Sequence, residues 1–304
     1  MKIQILLATH NGEKYIETQL DSLIAQQLPV NAHLSILVSD DASSDSTPEI
    51  LREYQERYPS IIDILPEKKS GSAKDNFLRL ISAADADYIF FCDQDDWWLP
   101  EKILKTVEAF KSTERPQLVY SDAFIADENL KIIEADESRL QTYNRGLTLQ
   151  KLIVQNYISG CTMAVNRALL KGVRRDSYPG IEMHDWWLVI YAETFGEIIH
   201  VPEKLMKYRQ HGDNEVGAKD LKSFKYIKTH MNGEILRENC GNLLAQARGF
   251  YMTYGEEMPP EKRQIFKKFY TLRDKNKLSR IAAQIKGGYL KSTAARVIGQ
   301  LIYM

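Results

Sequence analysis

The chain has 304 residues, of which 44% are hydrophobic and 27% charged, and its formal net charge is −1. This composition suits one large or two modest globular domains and excludes collagen-like, disulfide-stapled and mainly disordered chains. The balanced charge hides an asymmetry. Residues 261–304 hold 11 Lys/Arg against 2 Asp/Glu, a net of +9, which leaves −10 on residues 1–260. An acidic body with a basic tail suggests a catalytic part and an anchor for an anionic surface.

Ile3–Ala8 is a short, continuous apolar run, so it reads as a strand covered on both faces and not as a targeting segment. Glu13–Gln27 carries Tyr15, Ile16, Leu20, Leu23 and Ile24 at helical spacing. Leu34–Ser39 reads as the next strand. A helix follows with Thr47 as N-cap, Pro48 at its first position, and an end near Arg57. Ile61–Leu65 is a strand, Lys74–Ala83 a helix, and Tyr88–Cys92 a buried strand. Alternation of this kind predicts right-handed βαβ units and a parallel sheet. Ligands of such sheets bind beyond the carboxyl ends of the strands. Three loops occupy those ends: Thr9-His10-Asn11-Gly12-Glu13, Asp40 to Asp45, and Asp93-Gln94-Asp95.

The second half is less regular. Leu118–Tyr120 and Ile125–Asp127 read as strands, Leu149–Gln155 as a helix and Cys161–Val165 as a strand. Asp185–Glu193 is a helix and Ile198–Val201 a strand. Beyond His211-Gly212-Asp213-Asn214 the chain is helical and basic. Cys92, Cys161 and Cys240 form no C-x-x-C pair, which argues against a zinc site and a disulfide framework and for a reducing compartment. No apolar run approaches the roughly 18 residues of a spanning helix.

The acidic loops carry the chemistry. Asp93 and Asp95, two apart at a strand end, suit a hard divalent cation that shares its shell with a phosphate; an acidic surface turn is the bland alternative. Asp40-Asp41 is a helix-capping cluster or an acceptor for the imide N–H of a pyrimidine base. All four tryptophans lie beside acids, in Asp96-Trp97-Trp98 and His184-Asp185-Trp186-Trp187. In each pair one ring is expected in the core and the other at a sugar face. Asp185 reads as a helix cap or as a general base, and one residue can serve as both. Lys74 and Asn76 open a helix whose N–H groups favour an anion. His211 and Arg209 lie in a polar loop suited to a metal or a diphosphate.

Together these elements resemble the family-2 glycosyltransferases. The resemblance covers about residues 1–215 and implies an α/β, GT-A fold: a Rossmann-like, nucleotide-binding mixed sheet flanked by helices, with a helical C-terminal extension. Residues 1–100 would form the nucleotide-binding half, 101–215 the acceptor half and 216–304 the extension. Asp93-Gln94-Asp95-Asp96-Trp97-Trp98-Leu99-Pro100-Glu101-Lys102, His184-Asp185-Trp186 and Tyr208-Arg209-Gln210-His211 resemble bacterial rhamnosyltransferases, including streptococcal enzymes of cell-wall or capsular polysaccharide synthesis.

The resemblance implies roles residue by residue. Thr9, Asn11, Glu13, Asp41, Lys74, Asn76, Asp93 and Gln94 would hold the nucleotide. Asp95 and His211 would bind Mn²⁺ or Mg²⁺. Trp97, Trp98, Gly160, His184, Trp186 and Arg209 would face the donor sugar or acceptor, and Asp185 would be the catalytic base. The implied reaction is an inverting displacement, with dTDP-rhamnose the expected donor and UDP-hexoses the alternative. A lipid-linked saccharide is the implied acceptor, at the cytoplasmic face of the membrane. Two departures stand out: Ala8-Thr9-His10-Asn11 where the family often has Pro-x-Tyr-Asn, and Ala42 where it often has Gly.

In the tail, Leu290, Ala294, Val297, Ile298 and Leu301 share one helical face, with Ser292, Arg296 and Gln300 opposite. The face suits an anionic bilayer, the body of the protein or a second subunit of a homodimer. A metal-independent glycoside hydrolase would leave the strand-end acids unexplained. A nucleotidyltransferase would need a Gly-rich basic loop, and a carbohydrate-binding module would explain only the tryptophans. Nucleic-acid binding would rest on the tail alone.

Overall fold

The computed structural model describes residues 1–134, 147–174, 177–212 and 233–304. Asp213 and Asn214 of the polar loop lie outside them. The first half follows the expected alternation: β1 (Lys2–Thr9), α1 (Ile16–Ile24), β2 (His33–Asp40), α2 (Thr47–Arg57), β3 (Ile62–Ile64), α3 (Ala73–Ala83) and β4 (Tyr88–Cys92). β1 pairs in parallel with both β2 and β4, and β2 with β3. Ser46 occupies the N-cap position of α2 without a side-chain capping bond, and Thr47 is its first residue, one position earlier than the sequence suggests.

The second half turns the sheet mixed. After β5 (Trp97–Trp98) and α4 (Lys102–Ala109), β6 (Gln117–Ala126) is one strand where two were expected. The polar interruption Ser121-Asp122 is accommodated because Asp122 Oδ1 meets His200 Nε2 at 2.9 Å. Then come β7 (Ile132–Glu134), α5 (Leu149–Val154), a 3₁₀ turn (Gly160–Thr162), β8 (Met163–Asn166), α6 (Arg167–Val173), α7 (His184–Phe195) and β9 (Glu197–Arg209). The strand order is β3-β2-β1-β4-β8-β6-β9-β5, with β8 antiparallel to β4 and β6, and β7 paired on β6. β9 extends eight residues past the expected Val201. Its register to β6 shifts from Val201 opposite Ser121 to Lys204 opposite Asp122, skipping Pro202, which has no N–H to give the ladder.

α7 is buried on nearly every side and joins the halves of the molecule. Its Trp187 packs edge-on to Phe250 at 4.9 Å and donates Nε1–H to Tyr254 Oη at 3.3 Å. Both partners lie in α8 (Gly233–Tyr254), which is followed by α9 (Pro260–Tyr270), α10 (Lys277–Gly287) and α11 (Ala294–Tyr303). Phe250, Phe266, Phe269, Tyr289 and Met304 belong to the same core cluster as Leu80, Phe91 and Trp187. The helical extension therefore shares a core with the sheet.

The tail corrects one expectation. Gln300, placed on the polar face by the spacing, is buried, and Ile298 is 58% exposed. Gln300 Nε2 donates to Gln284 Oε1 at 3.0 Å and to the Tyr289 carbonyl at 2.6 Å. A satisfied amide outweighs apolar burial here because it ties α11 to α10. Among the described residues, no helix is long and apolar enough to cross a membrane.

Candidate active site

The ends of β1, β2 and β4 lie side by side, so their loops meet in one crevice. They are tied by polar side chains. Asn11 takes a left-handed conformation (φ +47°) and its Oδ1 accepts from Ser44 N at 2.8 Å. Glu13 Oε2 accepts from Ser46 N at 2.9 Å, and Asp45 Oδ2 from Glu13 N at 3.0 Å. Gln94 grips His10 twice: its Oε1 accepts from His10 N at 2.8 Å, and its Nε2 donates to His10 O at 2.9 Å. A Cβ on Gly12 would stand 2.3 Å from Gln94 Oε1, so a larger residue there would push the Gln94 amide off His10.

Asp95 and His211 are brought together from 116 residues apart. Asp95 Oδ2 lies 2.7 Å from His211 Nε2, and the imidazole leans on the Tyr15 ring at 4.6 Å. Adjacent ligand atoms of an octahedral divalent cation, each bound at about 2.1 Å, lie about 3 Å apart. This pair, an oxygen and an imidazole nitrogen at that spacing, fits such an ion. A second group stands beside it: ligand atoms of Asp93, Asp96 and Cys161 lie within 4.8 Å of one another. Burial pushes both the Asp96 carboxyl and the Cys161 thiol well up, toward their protonated forms. Both sets offer ligand atoms to a divalent cation at this end of the sheet.

The 3₁₀ turn Gly160–Thr162 connects this acidic loop to α7. Cys161 faces Asp93 and Asp96. Its neighbour Gly160 donates its N–H to Asp185 Oδ2 at 3.1 Å. Asp185 Oδ1 also accepts from Trp186 N at 2.6 Å. Burial raises the Asp185 pKa to about 6, against the pull of these N–H donors. A carboxylate of that basicity at a crevice mouth is suited to take a proton from a hydroxyl. Beside it His184 is buried, stacked on Phe77 at 3.9 Å, and burial lowers its pKa to about 3. It is therefore a neutral ring at working pH.

Each tryptophan pair splits between a buried and a half-buried ring. Trp98 and Trp187 are buried in the core, whereas Trp97 and Trp186 are half-buried. Lys207 Nζ sits 5.0 Å over the Trp97 ring, and Trp186 Nε1 donates to the Leu152 carbonyl at 2.6 Å.

Several expected contacts are corrected. Trp98 is 1% exposed, too deep to meet a sugar. Arg209 is also buried; its Nε donates to the Asp95 carbonyl at 2.6 Å and its Nη1 to the Glu128 carbonyl at 2.5 Å. It shapes the Asp95 turn from behind and does not face a sugar. Thr9 donates its hydroxyl to Asp40 Oδ1 at 2.7 Å, and buried Asn76 donates Nδ2–H to the Ser39 carbonyl at 2.8 Å. Both hold strand ends together and neither is presented to a nucleotide. Asp41 accepts from the backbone N–H groups of Ser70 and Gly71. Asn11, Glu13 and half-buried Lys74 remain on the accessible rim.

Sequence reasoning missed Asp96, Cys161 and Lys102. Lys102 is buried behind the acidic loop with Nζ 4.7 Å over the Trp98 ring, and burial lowers its pKa to about 8. A lysine inside an otherwise apolar helix face was the available signal.

The family model for glycosyl transferase family 2 matches residues 4–174. The chain belongs to that family. This glycosyltransferase is 34% identical over 232 residues to the dTDP-rhamnosyl transferase RfbG of Shigella flexneri, covering 72% of this chain and 76% of that one. Among solved structures it is similar to S. aureus TarS 1-349 in complex with UDP-GlcNAc, with TM-score 0.54, 17% identity and coverage of 93% and 81%. It is also similar to the mannosyltransferase PcManGT from Pyrobaculum calidifontis in complex with GDP-Man and Mn²⁺, with TM-score 0.55, 16% identity and coverage of 94% and 72%. The glycosyltransferase thus has the GT-A fold, a mixed sheet flanked by helices, and acts with a nucleotide-sugar donor.

Proposed function

We propose that this glycosyltransferase moves L-rhamnose from dTDP-rhamnose to a hydroxyl of a growing, lipid-linked polysaccharide, with inversion at the anomeric carbon. The observation that carries the reading is the Gly160–Thr162 turn, which holds Asp185 on one side and the Asp93–Asp96 loop on the other. A base and a diphosphate site linked through adjacent residues of one short turn suit an in-line displacement. The choice of rhamnose draws on the likeness to RfbG.

In this reading Asp185 accepts the acceptor hydroxyl's proton as that oxygen attacks the anomeric carbon, and the nucleoside diphosphate leaves. Gly160 N–H and Trp186 N–H keep the carboxylate aimed. Asp95 and His211 would hold Mn²⁺ or Mg²⁺, which when bound offsets charge on the leaving diphosphate. Asn11, Glu13 and Lys74 line the rim where the nucleoside enters. The protein works at the cytoplasmic face of the membrane, held there through the basic C-terminal helices.

Thermal shifts with dTDP, UDP and GDP, each with Mn²⁺ and with EDTA, test the reading. A ligand at a hundredfold excess over its dissociation constant stabilises the native state by about 2.7 kcal/mol. The largest shift is expected with dTDP and Mn²⁺. A larger shift with UDP discards the rhamnose donor, and no shift with any nucleotide removes the proposal.

A further inference from the structure

A cavity of about 930 Å³ opens among the C-terminal helices, apart from the crevice. Arg237 and Arg248 of α8, Arg273 of the short turn after α9, and Arg280 of α10 line it. None of the four is ion-paired among the described residues, and Asp274 is the one acidic side chain in the lining. Its floor includes Leu244, Tyr270 and Tyr303, and exposed Met252 also lines it. Arg237, Arg248 and Arg273 are exposed and Arg280 is half-buried; their planar guanidinium forks match phosphate oxygens.

The helices that wall the cavity also carry exposed apolar side chains. Leu278 and Ile285 of α10 are 82% and 54% exposed, and Ile298 and Ile302 of α11 are 58% and 49% exposed. Lys277, Lys286 and Arg296 flank them, within the segment of net charge +9. Apolar side chains rimmed by cations suit the interface of an anionic bilayer. The cavity also borders a second one. Gly180 lines both it and a neighbouring cavity of about 570 Å³ that contains Lys74, at the start of α3.

We propose that the arginine-lined cavity binds the phosphate head of a lipid diphosphate while the exposed apolar side chains of α10 and α11 lie on the membrane that holds its chain. This rests on the lipid-linked acceptor reading and gives it a place. Phosphate oxygens would take the guanidinium N–H donors, and the first part of the lipid chain would lie along the Leu244 and Met252 side. The saccharide would then extend past Gly180 toward Asp185.

The test is vesicle flotation of the full chain. Three vesicles are compared: phosphatidylcholine alone, phosphatidylcholine with phosphatidylglycerol, and phosphatidylcholine with a polyprenyl diphosphate at equal surface charge. The expected result is at least tenfold more protein on the polyprenyl diphosphate vesicles than on the phosphatidylglycerol ones. Inorganic pyrophosphate should compete that preference away. The double variant Arg248→Ala, Arg273→Ala should lose the preference while keeping the wild-type thermal shift with dTDP and Mn²⁺. Equal binding to both anionic vesicles, or an unchanged preference in the variant, overturns the proposal. Pyrophosphate binding without any preference for the diphosphate lipid also overturns it and leaves a free-anion site. A wild-type chain with no nucleotide shift fails the crevice reading instead, so the two failures are separable.

Discussion

The backbone N–H of Gly160 donates to Asp185 Oδ2 at 3.1 Å, and this bond helps fix the direction of a carboxyl whose pKa burial raises to about 6. Below that pH the carboxyl carries its proton and cannot accept another; above it the carboxylate is free to do so. Transfer rate should therefore rise with pH through about 6 and level off above 7. A pH profile of kcat/KM checks this. Asp185→Asn should keep donor binding and lose transfer by 10²-fold or more, on the order of what a general base contributes.

Removing either half of the Asp95–His211 pair should act on the ion before it acts on the fold. Both Asp95→Ala and His211→Ala are expected to weaken nucleoside diphosphate binding in Mn²⁺ and to leave little difference between Mn²⁺ and EDTA. Titration calorimetry under the two conditions reads the effect. Binding that stays strongly Mn²⁺-dependent in both variants would assign the ion to the Asp93, Asp96 and Cys161 group.

Ala42 is held at φ +53°, a conformation that costs an ordinary L-residue about 1–2 kcal/mol. Glycine relieves that strain but adds about 0.5–1 kcal/mol of backbone entropy to the unfolded chain. Ala42→Gly should therefore stabilise by up to about 1 kcal/mol. Chemical denaturation of both proteins measures it. The glycine common at this point of the family is explained by the same geometry.

The two tryptophans of β5 should part company under mutation. Trp98 is wholly buried, so Trp98→Ala should cost about 3–5 kcal/mol. Trp97 is half-buried, and Trp97→Ala should cost clearly less stability while lowering turnover if its ring meets a sugar. Paired unfolding and activity measurements separate the effects.

Much of the fold was legible along the chain because its signals are local. Apolar runs of strand length, helices between them and the acids at the strand ends follow from the periodicity of residues close in sequence. The second half was less legible because β6 and β9 are defined by each other. Asp122 meets His200 across 78 residues, and Pro202 is tolerated only where the register shifts.

The sequence by itself determined that three acidic loops would end three neighbouring strands, and that His184-Asp185 would open a helix. Only the tertiary structure decided which tryptophan of each pair is buried, that Arg209 supports the Asp95 turn, that Gln300 turns inward, and that four arginines from three segments surround one cavity. Those outcomes depend on packing and desolvation between residues distant in sequence. An amphipathic pattern says that a face will be covered, but the covering element is chosen by the energy of the whole assembled core.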